Sequence, residues 1–288
     1  MTTQTAPGSS PAACPLCGSS PRVRFVTDGY PVCDCLRCGH RYAGQRTRKD
    51  HVAAVYGDAY FSGGGAGYPD YLGEAELLIR HGERCARIVA PHAHGPGRVL
   101  DVGAAAGFIL KGFANEGWEG VGVEPNAAMA AHGREVLGLD VRTGTLESSA
   151  IMGMFDLVSF VQVVAHFRDP LAAFRRADAM TLPGGLWLVE TWDCSSMTAR
   201  LLGRAWHEYS PPSVLHWWTP RLLGETLGSL GYRQLATGTP HKWLGAGHAK
   251  SLLRHKLGAL PWFANALPDS LALPYPSEDL FWAVYRKE

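Results

Sequence analysis

The chain has 288 residues, of which 46% are hydrophobic and 18% charged, with a formal net charge of +1. Those proportions exclude a disordered chain and leave room for one large α/β domain with a small appendage. No run of about 18 apolar residues is present to span a bilayer, the polar start (Met1 to Pro11) lacks a signal-peptide pattern, and the near-neutral charge argues against nucleic acid or anionic lipid as a general partner, so a folded cytoplasmic protein is the expectation.

Five of the seven cysteines (Cys14, Cys17, Cys33, Cys35, Cys38) fall in one short stretch, while Cys85 and Cys194 stand alone. Such clustering points to a metal rather than to disulfides. Cys14-Pro15-Leu16-Cys17-Gly18 and Cys35-Leu36-Arg37-Cys38-Gly39 are two CxxCG knuckles, in which the glycine relieves crowding in the tight turn after each thiolate pair. Cys14, Cys17, Cys35 and Cys38 would close a tetrahedral Zn2+ site, structural because four thiolates leave no open position. Cys33 in place of Cys35, or His40 in place of Cys38, is the alternative ligand set. Between the knuckles, Arg22 to Thr27 and Tyr30 to Val32 flank Asp28-Gly29, a hairpin turn pair. Residues 1–50 therefore read as a zinc-ribbon module; its seven Arg or Lys against three Asp make a mildly basic, solvated surface.

Residues 51–96 read as connecting or cap helices. Next comes Arg98 to Phe108, a strand, a small-residue turn and a helix start. Gly103 and Gly107, with only alanines between them, let part of a nucleotide-like ligand approach the backbone. A second strand, Trp118 to Val123, ends in Glu124, which lies 21 positions after Gly103 and is placed to accept from two ribose hydroxyls. The loop is GxxxG rather than GxGxxG, so a dinucleotide cradle is not indicated. Phe155 to Phe160 reads as a fourth strand, Leu186 to Glu190 as a fifth after the turn Pro183-Gly184-Gly185, Tyr232 to Thr239 as a sixth and Leu280 to Arg286 as the last. Thr219-Pro220 to Gly231 has the pattern of a capped helix.

Asp101-Val102-Gly103-Ala104-Ala105-Ala106-Gly107 resembles the first motif of class I S-adenosylmethionine (SAM) dependent methyltransferases, an acid followed by GxGxG, with Ala105 at the middle glycine. Gly122 to Pro125 resembles the second motif. The resemblance covers roughly Tyr56 to Glu288. It implies an α/β fold, a Rossmann-like seven-stranded sheet with helices on both faces, over residues 97–288, with lid insertions near 192–220 and 241–278. It further implies SAM as cofactor, with Glu124 and Pro125 at the ribose, Thr145 and Leu146 beside the adenine, Gln162 and Val163 on the methionine side, and Tyr68 and Tyr71 in a covering cap.

Ligands of such sheets meet at the carboxyl ends of the strands, which puts His166 beside the transferred methyl. Histidine titrates in the range useful to a base, so His166 is the first candidate for removing an acceptor proton. Many relatives carry Glu-His where this chain has Ala165-His166, which argues against metal-assisted chemistry. His207 and His216 are alternative bases in an aromatic segment whose tryptophans would wall an apolar ligand. The expected acceptor is a small metabolite, of natural-product or sugar type, methylated at oxygen, nitrogen or carbon. RNA methylation assisted by the zinc module and a non-catalytic SAM-binding role are the competing readings. A basic helix near Lys250 to Lys256 reads as either a membrane contact or a solvated face.

Overall fold

The computed structural model describes residues 11–45, 47–48, 50–63, 68–148, 151–240, 242–257, 267–269, 271–275 and 277–288. The first hairpin joins β1 (Pro21–Thr27) to β2 (Tyr30–Cys35), and β3 (Arg41–Ala43) follows. Asp28 and Gly29 both take positive φ (49° and 81°), the twist that an Asp-Gly turn supplies. Helices α1 (His51–Val55), α2 (Asp58–Ser62) and α3 (Ala75–Val89) lead into an alternating run. That run is β4 (Arg98–Val102), α4 (Phe108–Asn115), β5 (Glu119–Glu124), α5 (Ala127–Glu135), β6 (Asp140–Thr143), β7 (Phe155–Val161), α6 (Pro170–Asp178) and β8 (Thr181–Trp192). Beyond it come α7 (Met197–Leu202), β9 (His216–Trp217), α8 (Pro220–Gly228), β10 (Tyr232–Gly238), β11 (Lys242–Gly245), α9 (Ala246–Leu257), β12 (Ala272–Tyr275) and β13 (Leu280–Lys287).

The expected fold class is observed. Seven strands form one sheet in the order β10-β13-β8-β7-β4-β5-β6. The pairs from β8 through β6 are parallel, and β13 enters antiparallel between β8 and β10. Strands covered by helices on both faces need apolar residues at nearly every position, and Val99, Leu100, Leu157, Val158, Leu188 and Val189 are all fully buried. β8 begins earlier than the motif Pro183-Gly184-Gly185 suggests: those residues lie inside the strand, where its register against β7 shifts. Thr219 caps α8 by accepting from the Leu222 amide at 3.1 Å, as its Thr-Pro start predicts.

A second sheet, β1-β2-β3-β9, draws its last strand from the segment after β8. Arg41 pairs with Trp217 and Tyr42 with His216, so the cysteine-rich hairpin is continuous with the main body. The late insertion forms the hairpin β11-β12 and α9, and residues 258–266 of it lie outside the described residues. On α9, Lys250 is not simply solvated, because its ammonium reaches Asp269 at 2.7 Å; the side chain of Lys256 lies outside the described residues. Among the described residues no helix is long and apolar enough to cross a membrane.

Helices α3 and α4 cross in close contact because each offers a glycine at the crossing. A Cβ on Gly112 would lie 2.4 Å from the Ile79 carbonyl oxygen and 2.5 Å from the Glu83 nitrogen, and one on Gly82 would lie 2.3 Å from the Ile109 carbonyl oxygen. These are backbone atoms and cannot rotate away. Gly112→Ala is therefore expected to destabilise the chain by about 1–3 kcal/mol, despite alanine's better helix propensity. A lower denaturant midpoint at unchanged slope checks this; an unchanged midpoint contradicts it.

Candidate active site and metal centre

The carboxyl ends of β4, β5 and β7 lie side by side and form the floor of a cavity. After β4 the backbone bends sharply, with Gly103, Ala105 and Gly107 all at positive φ (74°, 47° and 83°). At Gly103 the conformation and the space both require glycine, since a Cβ would approach Val163 Cγ2 to 2.7 Å. Ala105 holds a left-handed conformation that the family glycine would take without strain. At the end of β5, the Glu124 carboxylate accepts from the amides of Ala105 (2.9 Å) and Asn126 (2.7 Å), so it also pins the bend. Burial pushes Glu124 up to about 7 against the opposing pull of those two amides. Asp101 is likewise raised to about 7 by burial, with the Glu124 charge adding to the effect.

The cavity is about 550 Å³. Gly103, Ala105, Glu124, Pro125, Thr145 and Leu146 line one part of it, and Gln162, Val163 and His166 another. Tyr68 and Tyr71 close it from the cap, together with Tyr56, Tyr60 and Phe61. Burial raises the phenols of Tyr56, Tyr60, Tyr68 and Tyr71 above their ordinary value, so they face the cavity as neutral rings with hydroxyl donors. Asp101 and Gly107 do not line the cavity. Asp101 is buried inside β4, and Gly107 packs beneath the bend, where a Cβ would meet Leu139 at 3.0 Å and Val141 at 3.4 Å.

His166 sits on the turn after β7. Its Nδ1 is 2.8 Å from the Ser213 carbonyl oxygen, which can only accept, so Nδ1 carries the proton and Nε2 is the basic nitrogen. Tyr56 donates to the same carbonyl at 2.6 Å and touches Nδ1 at 3.0 Å, fixing the ring. Among the described residues nothing hydrogen-bonds to Nε2. Burial lowers the His166 pKa, partly offset by the Ser213 carbonyl, so the imidazole is neutral at neutral pH.

The other two histidines stand elsewhere. His216 is buried in β9, donates from Nε2 to the Phe167 carbonyl at 2.8 Å, and is lowered to about 4 by burial. His207 lies edge-on to Trp192 and 3.4 Å from Glu208. Neither lines the cavity. Trp206, Trp217 and Trp218 are fully buried in the core and form no wall of it.

Near the N-terminus the Sγ atoms of Cys14, Cys17, Cys35 and Cys38 all lie within 4.8 Å of one another. Closest approaches are 3.4 Å (Cys17 to Cys35), 3.6 Å (Cys17 to Cys38) and 3.7 Å (Cys14 to Cys38). Four sulfurs around a tetrahedral zinc at about 2.3 Å stand about 3.8 Å apart, so this donor set fits that ion. Cys33 points away, against Gly44, and is not one of the group. His40 lies outside it too, with Nδ1 3.8 Å from Cys14 Sγ and its ring stacked on His216 and Trp218.

Sequence reasoning missed Tyr56 and Asn126. Tyr56 precedes the tyrosine-rich cap without any motif of its own, and its role depends on a partner 110 positions away. Asn126 directly follows the second motif: it caps α5 by accepting from the Met129 amide, and its side-chain amide holds the Tyr56 carbonyl at 3.1 Å. A cap residue after Glu-Pro was the available signal.

Comparison with known proteins agrees with this architecture. The chain is 31% identical over 169 residues to a ubiquinone biosynthesis O-methyltransferase of Azorhizobium caulinodans, a match covering 54% of this chain and 66% of that protein. It is 29% identical over 163 residues to the protein of the same description from Nitrobacter winogradskyi, covering 55% and 54%. The chain thus spans about half to two thirds of the length of the curated relatives it matches. Among solved structures, a SAM dependent methyltransferase from Archaeoglobus fulgidus superposes with a TM-score of 0.50 at 18% identity, over 75% of this chain and 99% of that one, which speaks to the fold. Residues 76–237, more than half of the chain, match the family described as methyltransferase domain, and the chain belongs to that family.

Proposed function

We propose that the chain transfers the methyl group of SAM to a hydroxyl oxygen of a small acceptor, and that a structural zinc ion folds its N-terminal ribbon. The observation that carries this reading is one cavity running from the Gly103 bend and Glu124 to the basic nitrogen of His166. Oxygen is favoured over nitrogen and carbon because the Azorhizobium and Nitrobacter relatives are O-methyltransferases.

When bound, SAM supplies an electrophilic methyl group on a sulfonium. The chain's own residues do the rest. Glu124, held by the Ala105 and Asn126 amides, retains lone pairs to accept from a ribose diol. The Gly103 backbone comes close to the ligand because no side chain intervenes. The rings of Tyr56, Tyr60, Tyr68 and Tyr71 exclude water and offer π-faces to a cation. Nε2 of His166 takes the proton of the acceptor hydroxyl, while Nδ1–H stays on the Ser213 carbonyl.

Three outcomes are expected. Replacing Glu124 by Ala should weaken S-adenosylhomocysteine binding about ten- to a hundredfold in calorimetry, the value of one or more hydrogen bonds to a charged group. In the intact protein that affinity should also fall as pH drops through about 7, because Glu124 then binds a proton and loses acceptor capacity. Unchanged affinity in the variant removes Glu124 from the site.

His166→Ala should lower kcat about 10²- to 10⁴-fold and leave S-adenosylhomocysteine affinity intact. Since burial lowers the His166 pKa below 6.5, kcat should hold level through neutral pH and fall only on the acid side of the ordinary histidine range. A kcat that is indifferent to the substitution leaves the imidazole no part in the proton transfer.

Purified chain should carry one zinc per molecule by atomic absorption, and Cys35→Ser should lose it with a lowered melting temperature. Full zinc retention in Cys35→Ser would put Cys33 in place of Cys35 in the ligand set.

A further inference from the structure

A second cavity, of about 490 Å³, opens between the β1-β2 hairpin, β3 and α7, and shares no lining residue with the first. Four arginines line it: Arg24 from β1, Arg41 from β3, Arg200 from α7, and Arg204 just beyond. Its lining residues Cys194, Ala199 and Tyr209 belong to one buried apolar cluster with Trp206, Leu215, Trp217 and Ala165, the last next to His166 in sequence.

The charges around this cavity do not balance within the protein. Among the described residues Asp34 is the acid that the cavity's arginines pair with, and three arginines share it: Arg41 Nε at 2.7 Å, Arg24 at 3.2 Å and Arg22 at 3.9 Å. Among the described residues, Arg200 and Arg204 form no ion pair. In a chain of net charge +1, such a concentration of one sign is local and repels itself. Glu278, the next acid near α7, is committed to the amides of Met197 and Thr198 at 2.8 and 3.1 Å. Tyr209 accepts from Arg41 Nη1 at 2.7 Å, so its own hydroxyl proton remains to be donated.

We propose that this cavity binds a small phosphate-bearing anion. Guanidinium forks match phosphate oxygens two at a time, and a phosphate would relieve the repulsion that Asp34 cannot. The concave shape, with the buried Tyr209 ring in its lining, suits a compact phosphate group better than an extended polymer. The ligand would sit apart from the methyl donor, since the two cavities share no lining residue. The assignment does not depend on the methyl-transfer reading.

The test is calorimetry of the zinc-loaded full chain with pyrophosphate, at fixed moderate salt. Binding at a single site is expected, weakened about tenfold for each guanidinium removed in Arg200→Ala and in the Arg200→Ala/Arg204→Ala double variant. Both side chains are exposed, so the melting temperature should not move. Absence of pyrophosphate binding, or equal binding by the double variant, overturns the proposal. So does stronger binding of a single-stranded RNA oligonucleotide than of pyrophosphate, with a steep salt dependence that the double variant abolishes, since that marks a polymer surface.

Discussion

The carbonyl of Ala165 accepts from two successive amides, Leu215 at 2.9 Å and His216 at 3.0 Å, and much of the molecule is organised around that pair of bonds. It fastens β9 to the turn after β7. β9 in turn extends the sheet that begins in the cysteine-rich hairpin, and the Ala43 amide bonds the Leu215 carbonyl at 2.8 Å. An unbroken path of main-chain hydrogen bonds thus leads from the CxxC knuckles to the residue next to His166. A hairpin this small has little core of its own, and its four thiols surround a point where a metal fits. The cysteine-rich hairpin is therefore tied by main-chain bonds to the turn carrying His166 rather than being a detached appendage.

Electrostatics explain why the first cavity suits a cationic ligand. Two carboxyl groups, Asp101 and Glu124, are buried beneath it, and burial has pushed both to about 7. An acid held that high is poorly stabilised as an anion by its surroundings. A nearby positive charge would offset the desolvation and restore the ionised form. The tyrosines above are neutral phenols, held so by burial, and supply no positive charge. Arg168 lines the cavity but is exposed to solvent. No other lysine or arginine lines the cavity among the described residues.

What could be read from sequence follows from how local each feature is. The bend at Gly103, the acid at Glu124 and the paired knuckles are each written within a few consecutive residues, and the structure brings each set together. The α/β class was legible because strand and helix patterns alternate, whereas the strand order β10-β13-β8-β7-β4-β5-β6 is supplied by the structure. His207 and His216 were singled out for residue type and for their place in an aromatic segment, and nothing local distinguished a histidine facing a cavity from one packed in a core. The difference lies in partners far along the chain: His216 is held by Phe167 and stacked on His40, whereas His166 is set by Ser213 and Tyr56. The pairing of β3 with β9 joins segments more than 170 residues apart, and two residues of β-strand carry no periodicity to announce it.

Gln162 shows how remote packing reaches the cavity wall. Its backbone is left-handed, at φ 57°, a conformation that costs a residue with a side chain of order 1–3 kcal/mol and persists only when neighbours impose it. The neighbour is Glu190 on β8, whose carbonyl accepts from the Gln162 amide and whose carboxylate accepts from the Gln162 side chain, both at 2.9 Å. Glu190 is itself held by His81 of α3, whose Nε2 donates to the carboxylate Oε1 at 3.1 Å while Arg84 donates to Nδ1 at 3.3 Å. Helix α3 can reach that carboxylate because the Gly82–Gly112 crossing lets it settle low against α4 and the sheet. The same glycines that fix the helix crossing thereby fix the strained residue at the mouth of β7. The shape of the cavity on its Gln162 side is thus set by a helix that contributes no residue to its lining.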